Sequence, residues 1–164
     1  MKDIKKIMVA LAFSEYAKDI FNYAVGLAQY AEAELVVVNI INSRDVQAVR
    51  KISAMGYDVD GEHYVEGVRT ERKAILEKII KSSGFPPEKI STIFRVGNPI
   101  DELLKITVEK DIDLIVSGIK GHTDVEYFFV GSVAEKLFRR SPVPVISYRT
   151  KEQAERLRNR IELS

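Results

Sequence analysis

Short runs of consecutive apolar residues alternate along the chain with longer stretches in which apolar residues recur every three or four positions. Consecutive apolar residues are typical of strands buried on both faces of a parallel sheet, and the wider spacing is typical of helices with one buried face. The pattern predicts five strands, over residues 7–11, 35–40, 90–96, 113–117 and 145–148.

Helices are predicted between these strands. Ser14 is placed to cap the first helix, and apolar positions follow it at helical spacing. A long amphipathic helix ends near Gly84, Pro99 opens the next helix, and another begins near Gly131. Residues 42–61 show a weaker pattern, which fits a short helix. This alternation predicts an α/β fold, in which a single doubly wound, five-stranded parallel sheet carries helices on both faces.

The chain length fits one domain, because 164 residues leave little room for two. We assign residues 1–149 to the α/β domain. Residues 150–164 form a highly charged C-terminal extension. The sequence leaves two interpretations of this extension open, an appended helix and a loose tail.

Composition narrows the classes of function. Apolar residues make up 46% of the chain and charged residues 30%, which is an ordinary globular balance. The net charge is only +1 and no basic stripe is present, which argues against nucleic-acid binding. The chain has no cysteine, so disulfides and thiolate chemistry are excluded. The apolar run over residues 7–13 is too short to span a bilayer, and we therefore expect a soluble, cytoplasmic protein.

Glycines follow the fourth strand at positions that suit a phosphate. Gly118 and Gly121 lack Cβ, so the backbone can turn tightly and approach a ligand closely. Gly131 and Ser132 stand at the start of the next helix, where free N–H groups and the positive end of the helix dipole favour an anion. The competing interpretation is an ordinary α/β loop, since glycine after a strand and Gly-Ser at a helix start are both common.

This glycine motif resembles that of the universal stress protein family. The nucleotide-binding branch of the family carries Gly-x2-Gly-x9-Gly-Ser/Thr, and the chain matches that spacing without a gap at Gly118, Gly121, Gly131 and Ser132. Other segments are similar to the family's first strand with its Phe-Ser-Glu turn, to its Gly-x-Pro before the third helix, and to its fourth and fifth strands. These segments are residues 7–15, 96–99, 113–116 and 142–146.

The resemblance implies a complete architecture and a ligand. The implied strand order is 3-2-1-4-5, as in the adenine-nucleotide α-hydrolase-like fold, with the site between strands one and four. The implied ligand is ATP, or the related nucleotides ADP or AMP. The resemblance also implies a homodimer that forms through the edge strand near Val143 to Arg149.

The resemblance further implies which residues meet the nucleotide. In the family, the residue at the position of Ile40 meets adenine through its backbone. His122 either pairs with a phosphate or is simply solvated. Asp124 and Glu126 either help to hold a Mg²⁺ ion that bridges phosphates, or are solvated, or pair with cations of a partner subunit. The expected binding residues are Leu11, Ala12, Ile40, Ser117, Gly118, Gly121, His122, Gly131, Ser132 and Val133.

Ala12 departs from the family pattern. ATP-binding members usually carry an aspartate at this position, which meets the nucleoside. The methyl group of Ala12 cannot accept a hydrogen bond from a ribose hydroxyl or an adenine amine. Losing one such contact costs on the order of 1–3 kcal/mol, or roughly 10- to 100-fold in affinity. Either binding is weaker, or another group supplies the contact, or the ligand differs.

The sequence is compatible with three candidate functions. The first is a nucleotide-binding regulatory protein with slow or absent ATP hydrolysis, because no convincing general base, Walker lysine or arginine finger is present. The second is a dimeric interaction module of the same family that binds no nucleotide, which Ala12 favours. The third is a nucleotidyl transferase or ligase, which would carry a glycine-rich loop after strand one. Residues 12–15 contain no glycine, which argues against this enzyme class.

Overall fold

The computed structural model describes residues 3–119 and 132–161. The strands are β1 (Lys6–Ala10), β2 (Glu34–Asn42), β3 (Ile90–Gly97), β4 (Leu114–Gly118) and β5 (Val145–Tyr148). The helices are α1 (Ala17–Ala31), α2 (Ser43–Ala54), α3 (Gly61–Ser83), α4 (Pro99–Glu109), α5 (Ser132–Arg140) and α6 (Lys151–Arg158). A short 3₁₀ turn (Pro87–Lys89) leads into β3.

The strands form one parallel sheet in the order β3-β2-β1-β4-β5, which confirms the predicted fold class. β1 lies at the centre, between β2 and β4. The chain builds outward from β1 in one direction through β2 and β3, and then crosses to β4 and β5. The order of strands therefore reverses between β1 and β4, and ligands of open α/β sheets bind at the carboxyl ends of strands at such a point.

The two faces of the sheet bury separate apolar layers, because side chains alternate between faces along each strand. Ile7, Val9 and Val37 face the layer formed by α1 and α3. Met8 and Val38 face the layer formed by α4 and α5. Both layers are fully apolar at the centre, which explains why the strands are nearly continuous apolar runs in the sequence.

β2 is longer than predicted. The sequence pattern placed its end at Ile40, whereas the strand continues to Asn42. The reason is its pairing with β3, which is in register from Leu35 opposite Ile90 to Asn42 opposite Gly97. Polar Asn39 interrupts the apolar run and polar Asn42 ends it, which obscures the extension in the sequence, whereas backbone pairing does not depend on the side chains.

The turn between β1 and α1 differs from the prediction in one respect. Ser14 is not the helix cap, because α1 begins at Ala17 and Tyr16 precedes it without a side-chain cap. The Ser14 hydroxyl instead accepts a hydrogen bond from the Tyr16 backbone N–H at 3.4 Å. Phe13 has a left-handed backbone with φ 53°, and its ring stacks on Phe94 of β3 with centroids 6.4 Å apart.

Caps define the ends of several other helices. The Asp60 carboxylate accepts backbone N–H groups at the start of α3, and Gly84 ends that helix with φ 69°. Asn98 caps α4, whose first residue is Pro99. In the charged C-terminal extension, Thr150 and Gln153 form a capping box for α6. Across the described ranges, no helix combines the length and the apolar character that crossing a membrane requires.

Candidate functional site

A cleft of about 190 Å³ lies at the carboxyl ends of the central strands, where the strand order reverses. Its floor includes Leu11 and Ala12, which directly follow β1. The part formed by β4 and α5 is called here the β4 end, and consists of Ser117, Gly118, Val133 and Ala134. The part formed by β2, α2 and α3 is called the β2 end, and consists of Asn39, Ile40, Asn42, Asp45 and Arg72. Pro99 and Leu103 of α4 also line the cleft.

The structure brings many of the predicted residues together around this cleft. The predicted residues that line it are Leu11, Ala12, Ile40, Ser117, Gly118 and Val133. Ser132 is the first residue of α5 and is exposed, and it is not one of the lining residues. Gly121, His122 and Gly131 lie outside the described residues, as do Asp124 and Glu126.

The β4 end presents small side chains and a helix terminus. Ser117 is buried and pairs in register with Ala10 of β1. Val133 and Ala134 lie in the first turn of α5, so the N-terminal end of this helix borders the cleft. Backbone N–H groups in a first turn have no helical acceptor, and the helix dipole is positive there. This end can therefore accept an anionic group.

At the β2 end, a buried amide connects β1, β2 and α3. Asn39 is only 3% exposed, and its side chain makes two hydrogen bonds. Its Nδ2 donates to the Leu11 carbonyl oxygen at 2.6 Å, and its Oδ1 accepts from Arg72 Nη1 at 2.8 Å. A carbonyl only accepts and a guanidinium only donates, so these partners determine the orientation of the amide. Asn39 therefore fixes both the end of β1 and the position of Arg72.

Arg72 carries the positive charge of the β2 end. Its pKa is lowered from the usual value mainly because burial disfavours the charged form, while Tyr64, Glu71 and Asp45 act in the opposite direction. Within the described ranges, no carboxylate lies at ion-pair distance from Arg72, and Asn39 is its one hydrogen-bond acceptor. An arginine has five N–H donors, so most of those on Arg72 remain open to a ligand or to water.

A comparison with protein families agrees with this geometry. The model of the universal stress protein family matches residues 3–149. The chain belongs to the universal stress protein family. A universal stress protein homologue of Staphylococcus aureus (strain USA300) is 32% identical to it over 149 residues, which are 90% of this chain and 86% of the relative.

Solved structures of universal stress proteins share the fold. The hypothetical protein MJ0577 is 25% identical, with a TM-score of 0.74, and the match covers 92% of this chain and 99% of that one. A universal stress protein in complex with cAMP has a TM-score of 0.61 at 23% identity, with coverage of 92% and 100%. The Archaeoglobus fulgidus universal stress protein in complex with dAMP has a TM-score of 0.60 at 22% identity, with coverage of 90% and 100%.

Sequence reasoning about this universal stress protein missed the polar residues of the β2 end. Arg72 reads as part of the solvated face of the long helix α3, and only its contact with Asn39, 33 residues away, reveals its place. Asn39 offered a clue, because it interrupts a run of apolar residues in a buried strand. A buried amide needs partners, and one of them had to come from another element.

The described residues of this universal stress protein contain no group of three histidine or acidic side chains that could hold a metal ion. Asp45 is the one acidic residue that lines the cleft within those ranges. A Mg²⁺ ion bridging the phosphates of a nucleotide would need few protein ligands, because its remaining positions are filled by phosphate oxygens and water.

Proposed function

We propose that this member of the universal stress protein family is a regulatory protein that binds ATP or a related adenine nucleotide in the cleft between β1 and β4. The observation that carries the proposal is the position of the cleft at the reversal of strand order, where it is lined by six of the ten residues that the resemblance implied. In this proposal the protein acts in the cytoplasm, through dimerisation and binding of a partner protein.

The two ends of the cleft suit the two ends of a nucleotide. The N-terminal turn of α5 and the backbone at Ser117 and Gly118 offer an anion site for the phosphates. The loop residues Gly121, His122 and Gly131, together with Ser132, remain predicted phosphate contacts. Ile40 lines the β2 end, and the resemblance implies that its backbone meets the base there. Structural neighbours in complex with cAMP and dAMP support an adenine nucleotide as the ligand class.

We expect hydrolysis to be slow or absent. Among the described residues that line the cleft, Asp45 is the one carboxylate and Arg72 the one cation, and both belong to the β2 end. The proposed phosphate position at the β4 end is lined there by a serine, a glycine and aliphatic side chains. Such a set provides binding but no base for activating water. A Mg²⁺ ion that bridges the phosphates is part of the proposal as a companion of ATP.

We also propose that the protein forms a homodimer through the segment from Val143 to Arg149. β5 is the last strand of the sheet and pairs only with β4 within the described chain. An edge strand presents unpaired backbone groups that a second copy of the chain can contact. Light scattering coupled to gel filtration measures the mass directly, and a monomer at micromolar concentration would contradict this part of the proposal.

The deciding experiment is to identify any nucleotide released from the denatured protein by mass spectrometry, and then to titrate ATP with and without Mg²⁺ by calorimetry. We expect ATP to bind, and Ala134→Trp to weaken binding by roughly 100-fold because the indole fills the β4 end. Ala74→Trp is the matched control, since Ala74 is exposed on α3 and does not line the cleft. No released nucleotide and no heat at millimolar ATP would overturn the proposal.

The second candidate function is a dimeric interaction module that binds no nucleotide. Ala12 favours it, because the cleft lacks a side-chain acceptor at that position. A protein that is dimeric but shows no heat with ATP would establish this alternative.

A further inference from the structure

The β2 end of the cleft carries a cation whose charge is not neutralised by a bonded carboxylate. Arg72 lines the cleft and is held by a single hydrogen bond to the neutral amide of Asn39. Ile40, Asn42, Leu11 and Ala12 bring no charge, and Asp45 is the one other charged side chain of this end. Burying part of a guanidinium costs free energy of desolvation that an opposite charge can offset, and within the described residues no bonded carboxylate does so for Arg72.

The position of Arg72 is fixed rather than free. Asn39 is buried and is itself held by the Leu11 carbonyl, so the bond to Arg72 comes from a rigid part of the sheet. One edge of the guanidinium is used by this bond. The remaining N–H groups form a planar fork, which matches the oxygens of a phosphate.

Arginine at the nucleoside part of an α/β nucleotide site has a general chemical meaning. An acidic residue there accepts hydrogen bonds from ribose hydroxyls, whereas an arginine accommodates a phosphate on the ribose. In this cleft the residue after Leu11 is an alanine, which neither accepts from a hydroxyl nor repels a phosphate. Apolar Ala12 and the fixed Arg72 together match the arrangement that accommodates a phosphate on the ribose.

Asp45 is the one opposing charge among the described residues that line the cleft. It is exposed at the start of α2, beyond ion-pair distance from Arg72. Its carboxylate therefore reduces the positive potential at this end without occupying the guanidinium. Because Asp45 lowers the positive potential around Arg72, replacing Asp45 gives a second test of anion binding at this end.

Building on the proposed nucleotide function, we propose that the β2 end binds a phosphate on the ribose of the ligand through Arg72. The preferred ligand is then an adenosine bisphosphate, with its 5′-phosphate at the β4 end and its second phosphate on the 2′ or 3′ oxygen at the β2 end. Such a molecule places an anion at each end of the cleft with its ribose between them, and leaves its base near Ile40.

The test compares ligands that carry the same number of phosphates in different places. Calorimetry on the full chain measures the affinities of ADP, adenosine 2′,5′-bisphosphate and adenosine 3′,5′-bisphosphate. We expect at least one bisphosphate to bind about 10-fold more tightly than ADP. Arg72→Gln should reduce this ratio to near unity. Arg69→Gln should keep it, because Arg69 lies one turn earlier on α3 and does not line the cleft.

The outcomes separate this inference from the proposed function. Binding of ADP that equals or exceeds that of both bisphosphates, or a ratio that Arg72→Gln leaves unchanged, overturns the ribose-phosphate site while nucleotide binding stands. The absence of heat with every nucleotide, ADP included, overturns both. Asp45→Asn gives an independent check, since removing the opposing carboxylate should raise the affinity for the bisphosphate by a few-fold and that for ADP less. An equal change for both ligands would count against the site.

Discussion

Arg95 on β3 and Arg72 on α3 carry the same charge in different surroundings. Arg95 bonds the Glu102 carboxylate at 3.4 Å and also bonds Glu109 with both of its terminal nitrogens. The bond to Glu109 is the main reason that its pKa is raised above the usual value. Arg72 bonds one neutral amide, and burial lowers its pKa. The first arginine lies outside the cleft and the second lines it.

The charge of Arg95 is neutralised by carboxylates of the same chain, whereas the charge of Arg72 remains available to a ligand. The carboxylates around Arg95 come from α4 and satisfy its guanidinium on the protein surface. Arg72 bears a desolvation cost without a bonded counter-charge, although it is positioned by a buried residue. Positioning a cation in this way gains little for stability, which is why we interpret Arg72 as part of a binding site.

The largest expected effect comes from removing the residue that positions Arg72. Asn39→Leu keeps the volume but removes both hydrogen bonds, and leaves the Leu11 carbonyl without its donor. We expect a loss of about 2–3 kcal/mol in the free energy of unfolding. Urea denaturation measures it, with Asn42→Ala as the control, which removes only a helix cap and should cost about 1 kcal/mol. Equal losses in the two variants would show that the hydrogen bonds of Asn39 stabilise the fold no more than a single helix cap does.

Ala12→Asp adds a carboxylate to the cleft that contains Arg72. We expect ATP to bind about 10-fold more tightly, because the carboxylate can accept from a ribose hydroxyl. The preference for a bisphosphate over ADP should fall in the same variant, since the added charge repels a ribose phosphate. Ala74→Asp, on the exposed side of α3, is the control in calorimetry. A variant that binds ATP and bisphosphate as the parent does would place residue 12 away from the nucleoside.

Replacing each arginine by methionine tests whether its charge stabilises the fold. Arg72→Met should change the free energy of unfolding by roughly 0.5 kcal/mol or less, because water in the cleft can reach the freed Asn39 oxygen. Arg95→Met should be destabilised at low salt, and this loss should shrink in about 1 M NaCl, where exposed ion pairs are screened. Urea denaturation at both salt concentrations measures the two effects. A strong salt dependence in Arg72→Met would mean that Arg72 has an ion pair after all.

The smallest effect concerns acid stability around Arg95. The hydrogen bond from Lys105 lowers the pKa of Glu102 from its ordinary 4.5, and the hydrogen bond from Arg95 lowers that of Glu109. A carboxyl with a lowered folded pKa contributes stability above its unfolded value, and this is lost as the pH falls through the folded pKa, below 4.5. Glu102→Gln should therefore lose stability less steeply below that pH than the parent.

A control for the acid experiment is Glu88→Gln, whose carboxyl has no ion pair within the described part of the chain. Thermal unfolding as a function of pH measures both variants. If Glu88→Gln reduces the loss of stability at acid pH as much as Glu102→Gln does, the ion-paired carboxyls do not cause that loss.

The sheet could be predicted from the sequence, because each buried strand appears as a run of apolar residues and each helix as apolar residues at helical spacing. β5 was predicted with its observed bounds, and Ser117, Gly118 and Val133 of the β4 end are among the binding residues that the resemblance implied. The polar residues of the β2 end could not be predicted in this way. Its bonds join Leu11, Asn39 and Arg72, which are far apart in the chain, and such contacts leave no local pattern. Gly121, His122 and Gly131 stay predictions, since they lie outside the described residues.

The stacked ring of Phe13 has a consequence for how this site can change over evolution or in the laboratory. A bulky residue with φ 53° costs energy, so the turn keeps its shape through the ring's contact with Phe94, two strands away from β1. The shape of the turn is thus set by residue 13, and the chemistry offered to a ligand is set by residue 12. Side chains at position 12 can therefore be exchanged without changing the backbone of the turn. This makes position 12 a suitable place to redesign which ligand the cleft prefers.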